Sequence, residues 1–116
     1  NLFVRESWTH RYFLLTARGR VDLKAFSRQQ GLRSLSFASA DELREILRLE
    51  TGAVTPLALL NAPDVTLYLD EALLGSRIAV HPNTNTATVW LQTADLVNLL
   101  RTQCVPVVAA PFPCLA

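Results

Sequence analysis

The sequence predicts an α+β domain in which helices pack around a curved, mixed and largely antiparallel sheet. Two observations favour this fold class: short runs rich in β-forming residues follow one another along the chain, and capped amphipathic stretches stand between groups of them. The third is composition, since half of the 116 residues are apolar and only 18% are charged. Such a chain is neither disordered nor a disulfide-dense scaffold. We therefore expect a single globular domain over residues 1–116.

The first predicted elements are a hairpin and a helix. Residues 2–6 and 12–17 are rich in β-forming side chains and are separated by a polar stretch, which predicts two paired strands. After a turn, Asp22 can cap a helix that buries Phe26. Gly31 stands where a residue in the left-handed conformation would end that helix.

A second strand and helix are predicted over residues 35–50. Residues 35–38 favour a strand, and Ser39 and Glu42 have the spacing of a capping box. The helix is expected to end near Glu50. Its inner face is expected to consist of Leu43, Ile46, Leu47 and Leu49. A loop over residues 51–56 follows.

The rest of the chain favours strands with one further helix. Alternating apolar residues predict a strand over 65–69, and residues 78–91 predict two strands joined by a tight turn at 82–85. Thr93 can cap the last helix. The inward-facing residues of that helix are expected to be Leu96, Leu99 and Leu100. Residues 105–108 can add a closing strand.

Charge is distributed unevenly, although the net charge is only +1. Residues 1–33 carry +5 and residues 34–116 carry −4, and ten of the eleven cations are Arg. The planar guanidinium suits phosphate and stacks on bases, so the N-terminal third is the candidate nucleic-acid surface. The alternative is a set of ordinary solvated charges, because dedicated nucleic-acid binders are usually more basic overall. The nucleic-acid candidates are Arg5, Arg11, Arg18 and Arg20.

The sequence offers little support for metal, membrane or nucleotide chemistry. Cys104 and Cys114 have no CxxC spacing and no nearby His, and we expect them to be reduced and partly buried in a cytoplasmic protein. Residues 102–116 are uncharged but contain three Pro and fall short of the roughly 20 residues of a membrane span. No signal peptide, P-loop, GxSxG or GxGxxG motif is present.

Two features are candidates for chemistry. His81 ends an apolar strand and precedes Pro82, where it can act as a general acid or base; the alternative is a half-buried His bonded to a turn carbonyl. In the loop over 52–56, Gly52 is either the C-cap of the preceding helix or part of a rigid backbone that presents N–H groups to a ligand carbonyl. Spacing alone does not choose between these interpretations.

Six blocks occur in a specific order, at residues 1–4, 21–24, 35–39, 52–56, 59–61 and 80–89. They include a Gly-x-x-x-Pro motif and a His-Pro-Asn-x-Asn-Thr motif. With these blocks the chain resembles the YbaK/prolyl-tRNA synthetase-associated domain family from Asn1 to about Arg101. Within that family it is most similar to the freestanding branch that deacylates alanyl-tRNA(Pro).

The resemblance implies hydrolysis of the ester between an amino acid and the terminal adenosine of tRNA, in trans to the synthetase. It implies that attack by water is helped by the ribose hydroxyl of the substrate, without metal or cofactor. It implies catalytic roles for Gly52 and His81. The implied substrate-binding residues are Asn1, Ala53, Val54, Thr55 and Pro56. The implied partners are tRNA(Pro) charged with alanine and prolyl-tRNA synthetase, with no membrane involved.

The start of the chain bears on this resemblance. In the family a lysine directly precedes the Asn of the Asn-Leu-Phe block, whereas this sequence opens on Asn1 and contains no Met. We therefore expect that the N-terminal portion of the editing domain is missing from the sequence.

Three functions remain as hypotheses. The first is deacylation of Ala-tRNA(Pro), which is needed because a proline pocket rejects smaller alanine weakly, at only ~1–3 kcal/mol per missing methylene. The second is a Cys-tRNA(Pro) deacylase or an editing domain inserted in a synthetase. The third is a non-catalytic tRNA-binding module that keeps the fold. The sequence does not predict an oligomeric state.

Overall fold

The computed structural model describes residues 1–80 and 88–115. The strands within these residues are β1 (Leu2–Glu6), β2 (Tyr12–Thr16), β3 (Leu35–Phe37), β4 (Thr66–Asp70), β5 (Arg77–Val80), β6 (Val89–Gln92) and β7 (Val107–Ala110). The helices are α1 (Leu23–Gln29), α2 (Ala40–Leu47) and α3 (Thr93–Thr102), with 3₁₀ turns at Pro56–Asn61 and Glu71–Leu73.

Five strands form one sheet in the order β3-β1-β2-β4-β7, and β5 and β6 form a separate pair. The β1–β2, β1–β3 and β5–β6 pairings are antiparallel, whereas β4 runs parallel to both β2 and β7. The predicted mixed α+β fold is confirmed. Each parallel pair is joined by a long crossover that contains helical segments, as parallel pairing requires.

The core lies on both faces of the five-stranded sheet. Phe3 and Leu14 pack on one face with α2, α3 and the first 3₁₀ turn. Val4 and Leu15, the next residues on the same two strands, pack on the other face with Phe26 of α1. Because neighbouring residues of a strand point to opposite faces, β1 and β2 supply both halves of the core.

Several local predictions are confirmed by the backbone. Ser39 accepts a hydrogen bond from the Glu42 N–H at 3.1 Å, and the Glu42 side chain accepts one from the Ser39 N–H at 2.9 Å, which completes the capping box. The Asp22 side chain accepts a hydrogen bond from the Ala25 N–H at 3.1 Å. Gly31 has a φ of +68°, the left-handed conformation expected after α1.

Both later helices depart from the expected pattern. α2 ends at Leu47 and not near Glu50, because Arg48 adopts a left-handed φ of 58°. α3 begins at Thr93 without a side-chain cap, so the predicted Thr93 cap is wrong. On α3, Leu99 is 41% exposed and Val97 is buried in its place, because the helix turns its Leu96, Val97 and Leu100 side toward the sheet.

Other predictions on the second half of the chain have mixed outcomes. Cys104 and Cys114 are free, but they are exposed and not partly buried, because they lie in surface segments beyond α3 and β7. The predicted turn at 82–85 lies outside the described residues. Within the described part of the chain, no helix is long and apolar enough to span a membrane.

Candidate active site

A cleft of about 530 Å³ opens where three segments meet at one end of the five-stranded sheet. The first segment is the start of β1, the second leads from β3 into α2, and the third is the loop between α2 and the 3₁₀ turn. The end of β5 closes the remaining side. The lining residues are Asn1, Leu2, Phe3, Phe37, Ala38, Ser39, Ala40, Leu43, Thr51, Gly52, Val54, Ala79 and Val80.

Asn1 links two walls of this cleft. Its Nδ2 donates a hydrogen bond to the Val54 carbonyl at 3.3 Å. Its Oδ1 accepts one from the Thr16 hydroxyl at 2.6 Å. Thr16 is buried at the end of β2, so the amide holds the loop at a fixed place relative to the sheet. The Asn1 side chain thus lines the cleft and also holds the loop that contains Val54 in place.

Gly52 lies in a tight turn and does not cap α2. The Ala53 N–H donates to the Glu50 carbonyl at 3.1 Å, and Gly52 has a φ of +88°. This φ favours glycine, and space is open where a Cβ would stand. The described hydrogen bonds include none from the N–H groups of Gly52 and Val54 to another described residue. The C-cap of α2 is Arg48, so the C-cap interpretation of Gly52 is wrong, and its catalytic role stays a prediction.

The other residues of the Gly52–Pro56 motif shape the backbone instead of lining the cleft. Thr55 and Pro56 are buried, and the Thr55 hydroxyl accepts a hydrogen bond from the Leu57 N–H at 3.4 Å to begin the 3₁₀ turn. Ala53 is partly buried beside the turn. Of the motif, only Gly52 and Val54 line the cleft.

A polar network anchors the α2 wall to the sheet. The Glu42 carboxylate accepts hydrogen bonds from the Ser39 N–H, from the Tyr12 hydroxyl and, at 3.2 Å, from Arg5. The Ser39 N–H and the Tyr12 hydroxyl lower the pKa of Glu42 to about 2. The same contact with Glu42 raises the pKa of Tyr12, and burial adds to it. Tyr12 also stacks on Phe3, with the ring centroids 5.4 Å apart, so the network reaches the floor of the cleft.

The four candidate arginines lie in different places. Arg5 is paired with Glu42, and Arg11 is 2.7 Å from the buried carboxylate of Glu6 at the far end of the hairpin. Burial alone would raise the pKa of Glu6, but hydrogen bonds from Arg33, Arg11 and Thr9 lower it below its usual value. Arg18 and Arg20 are exposed in the turn just after Thr16, at the cleft end of the sheet. Two of the four cations are therefore used within the protein.

Sequence reasoning missed part of the cleft. Ala38, Ser39 and Ala40 line it, although the sequence indicated only a capping box there. Ala79 and Val80, the last two residues of β5, line it as well. His81, the other catalytic candidate, lies outside the described residues. A signal was present in the two resemblance blocks at 35–39 and 80–89, which contain three of these five lining residues, Ala38, Ser39 and Val80.

Among residues 1–80 and 88–115, no group of three or more His, Cys, Asp or Glu side chains is placed to hold a metal ion. The polar groups that line the described cleft are the Asn1 amide, the Ser39 and Thr51 hydroxyls and backbone groups, and the rest of the lining is apolar.

Several known proteins are similar to this chain in sequence. A model of the aminoacyl-tRNA editing domain family matches residues 1–99. The chain is 40% identical over 106 residues to "Prolyl-tRNA editing protein ProX" of Acetoanaerobium sticklandii, covering 87% of this chain and 65% of that protein. It is 38% identical over 116 residues to "Prolyl-tRNA synthetase associated domain-containing protein 1" of Danio rerio, covering 93% and 62%. The chain thus spans slightly less than two thirds of these relatives.

Two solved structures share the fold. The crystal structure of a hypothetical protein is 19% identical with a TM-score of 0.70, covering 93% of this chain and 69% of that chain. A structure from work on epitope backbone grafting onto scaffold proteins is 24% identical with a TM-score of 0.74, covering 97% and 68%. At these identities the likeness concerns the fold alone.

Proposed function

The chain belongs to the family of aminoacyl-tRNA editing domains, and from this premise we propose that it hydrolyses the ester joining alanine to the 3′-terminal ribose of tRNA(Pro). The observation that carries the proposal is a cleft in which the Gly52 turn and the Asn1 amide stand beside apolar side chains. In the reaction, water adds its oxygen to the ester carbonyl carbon. The ribose oxygen leaves and takes up a proton.

The walls of the cleft support a small acyl group. Ala38, Ala40 and Ala79 contribute only methyl groups to the lining. The other apolar residues that line the cleft are Val54, Val80, Leu2, Phe3, Phe37 and Leu43. A pocket for alanine complements a synthetase that cannot reject alanine strongly, since the smaller amino acid fits every proline pocket. Alanine is therefore the amino acid that we assign to the cleft.

The Gly52 turn supports stabilisation of the reacting carbonyl. As water attacks, negative charge develops on the carbonyl oxygen, and N–H groups fixed in advance stabilise that charge. The N–H groups of Gly52 and Val54 are the donors that we assign to it. Asn1 is a positioning residue, because its 3.3 Å hydrogen bond to the Val54 carbonyl holds Val54, whose own N–H is one of these donors.

Other roles follow from the family resemblance. The vicinal ribose hydroxyl of the substrate helps to activate the water, and His81 is assigned to the aminoacyl or ribose end of the substrate. Ser39 is the one Ser that lines the described cleft. Its hydroxyl oxygen accepts a hydrogen bond from the Glu42 N–H. This bond leaves the Ser39 oxygen engaged in capping α2, in keeping with direct attack by water.

The tRNA itself needs cationic contacts near the cleft. Arg18 and Arg20 are exposed at the cleft end of the sheet, so we assign them to phosphates of the acceptor stem, whereas Arg5 and Arg11 pair with Glu42 and Glu6. Prolyl-tRNA synthetase, which supplies the mischarged tRNA, is the proposed protein partner, and the cytoplasm is the proposed location.

The proposal is tested by incubating the intact protein with Ala-tRNA(Pro), Cys-tRNA(Pro) and Pro-tRNA(Pro) and measuring release of the amino acid. We expect rapid release of alanine and little release of proline. Preference for the cysteinyl ester would reassign the substrate. Binding of tRNA(Pro) without release of any amino acid would favour the non-catalytic module. In the same assay, His81→Ala should slow deacylation with tRNA binding intact.

A further inference from the structure

An aromatic and a cationic side chain lie together on the outer face of the β5–β6 pair. Trp90 on β6 is 58% exposed. The guanidinium of Arg77 on β5 lies 5.7 Å from the centroid of the Trp90 ring. At this distance the guanidinium makes a cation–π contact with the ring. Neither residue belongs to the cleft lining described above.

This pair is continuous with the cleft. Trp90 is the direct partner of Ala79 in the β5–β6 register, and Ala79 lines the cleft. Directly opposite residues of an antiparallel pair share a face, with Cβ atoms roughly 5 Å apart. Arg77 lies two residues before Ala79 and so on the same face. The Trp90–Arg77 pair therefore extends the wall of the cleft outward by one side chain.

An exposed aromatic ring with an adjacent cation is the combination that binds single-stranded nucleic acid, since a base stacks on the ring and the cation meets the phosphate. We infer that Trp90 and Arg77 form a subsite for the unpaired 3′-terminal nucleotides of the tRNA, next to the cleft that takes the aminoacyl ribose. This inference rests on the proposed function, because it needs an aminoacyl-tRNA as the ligand of the cleft. The occupant is a base stacked on the indole.

The chain provides its own control for this subsite. It contains only two Trp residues, and the other, Trp8, is 92% exposed in the turn between β1 and β2. Asn1 and Trp8 lie at opposite ends of β1, which is five residues long, so Trp8 stands roughly 16 Å or more from Asn1, at the other end of the strand from the cleft. Trp8 is therefore an exposed Trp like Trp90, but it lies in a different part of the fold.

Fluorescence separates the two residues. In Trp8→Phe the remaining indole is that of Trp90, and we expect uncharged tRNA(Pro) to quench it. In Trp90→Phe the remaining indole is that of Trp8, and we expect no quenching. Removing the unpaired 3′-terminal nucleotides from the tRNA should abolish the Trp90 signal. Equal quenching of both indoles, or full quenching of Trp90 by the shortened tRNA, would overturn the inference.

Affinity and kinetics provide the second test. Trp90→Ala should weaken binding of uncharged tRNA(Pro) about thirty-fold, the middle of the range for loss of one base stack. It should raise KM for Ala-tRNA(Pro) with kcat little changed. Trp90→Phe, which keeps a ring, should recover most of the affinity, and Trp8→Ala should have no effect. Arg77→Gln should weaken binding less at high salt than at low salt.

These outcomes are distinct from failure of the proposed function. If no aminoacyl ester is hydrolysed but Trp90 is quenched by intact tRNA only, the subsite stands and the deacylase assignment falls. If alanine is released and Trp90→Ala keeps the full affinity and KM, the deacylase assignment stands and the subsite falls. Thermal unfolding of Trp90→Ala, expected close to that of the unchanged protein for so exposed a side chain, excludes a folding defect.

Discussion

Replacing Glu42 by Gln tests whether one carboxylate holds the α2 wall of the cleft. Its side chain is 20% exposed and accepts hydrogen bonds from the Ser39 N–H, from Tyr12 and from Arg5. These contacts lower its pKa from 4.5 to about 2. At about 1.4 kcal/mol per pH unit, this corresponds to roughly 3 kcal/mol in favour of the folded state. Since part of the carboxylate is in water, we expect Glu42→Gln to cost about 2–3 kcal/mol near pH 7.

The pH dependence of this loss has a definite sign. The pKa of Glu42 is lower in the folded state, so its contribution is fully present above about pH 4.5 and is lost as the pH falls toward 2. Between about pH 7 and pH 3, the calculated loss is about 2 kcal/mol. Gln cannot titrate, so the difference in unfolding free energy between the two proteins should shrink by that amount.

Urea unfolding followed by circular dichroism at both pH values measures this difference. The matched control is Glu45→Gln, which removes the same charge from an exposed position on the same helix and should change stability by less than about 0.5 kcal/mol. Tyr12→Phe should reproduce part of the loss. A cost for Glu42→Gln equal to that of Glu45→Gln, or one that stays constant with pH, would refute the reasoning.

Three further predictions concern the cleft and the core. Gly52→Ala and Gly31→Ala should each destabilise the protein by about 1 kcal/mol, because both positions have φ near +70 to +90°; only the Gly52 variant should also lower kcat for deacylation. Asn1→Ala should reduce kcat/KM at least about ten-fold, since a loosely held Val54 misplaces its N–H donor; unchanged kinetics would rule out a positioning role for Asn1. Thr93→Val should stabilise the protein by up to about 1 kcal/mol in urea unfolding, because the Thr93 hydroxyl is buried without a hydrogen-bond partner among the described residues.

Local sequence signals predicted the elements of the fold well. The hairpin of β1 and β2, the Asp22 cap and the Ser39–Glu42 capping box all depend on residues that are neighbours in the chain. Signals were weaker where two conformations compete. The φ of Arg48 ends α2 early, and nothing in the side chain of Arg indicates a left-handed residue.

The site was predicted only in part, and the difference has a physical cause. Gly52 and Asn1 stood out through motifs, but the bond between Asn1 and Val54 joins residues 53 positions apart. No local pattern encodes such a contact. The same holds for the contacts of Glu42 with Tyr12 and Arg5, which convert a helix-capping residue into an anchor for one wall of the cleft.

The sequence by itself determined the α+β class, the order of the elements and the family, because periodicity, caps and ordered motifs are properties of short segments. Only the tertiary structure decided which of these segments meet. It assigned Arg5 and Arg11 to ion pairs within the protein, left Arg18 and Arg20 exposed at the cleft end, and placed Trp90 opposite Ala79. These choices depend on strand order and register, which arise from packing of the whole chain and not from any one stretch of it.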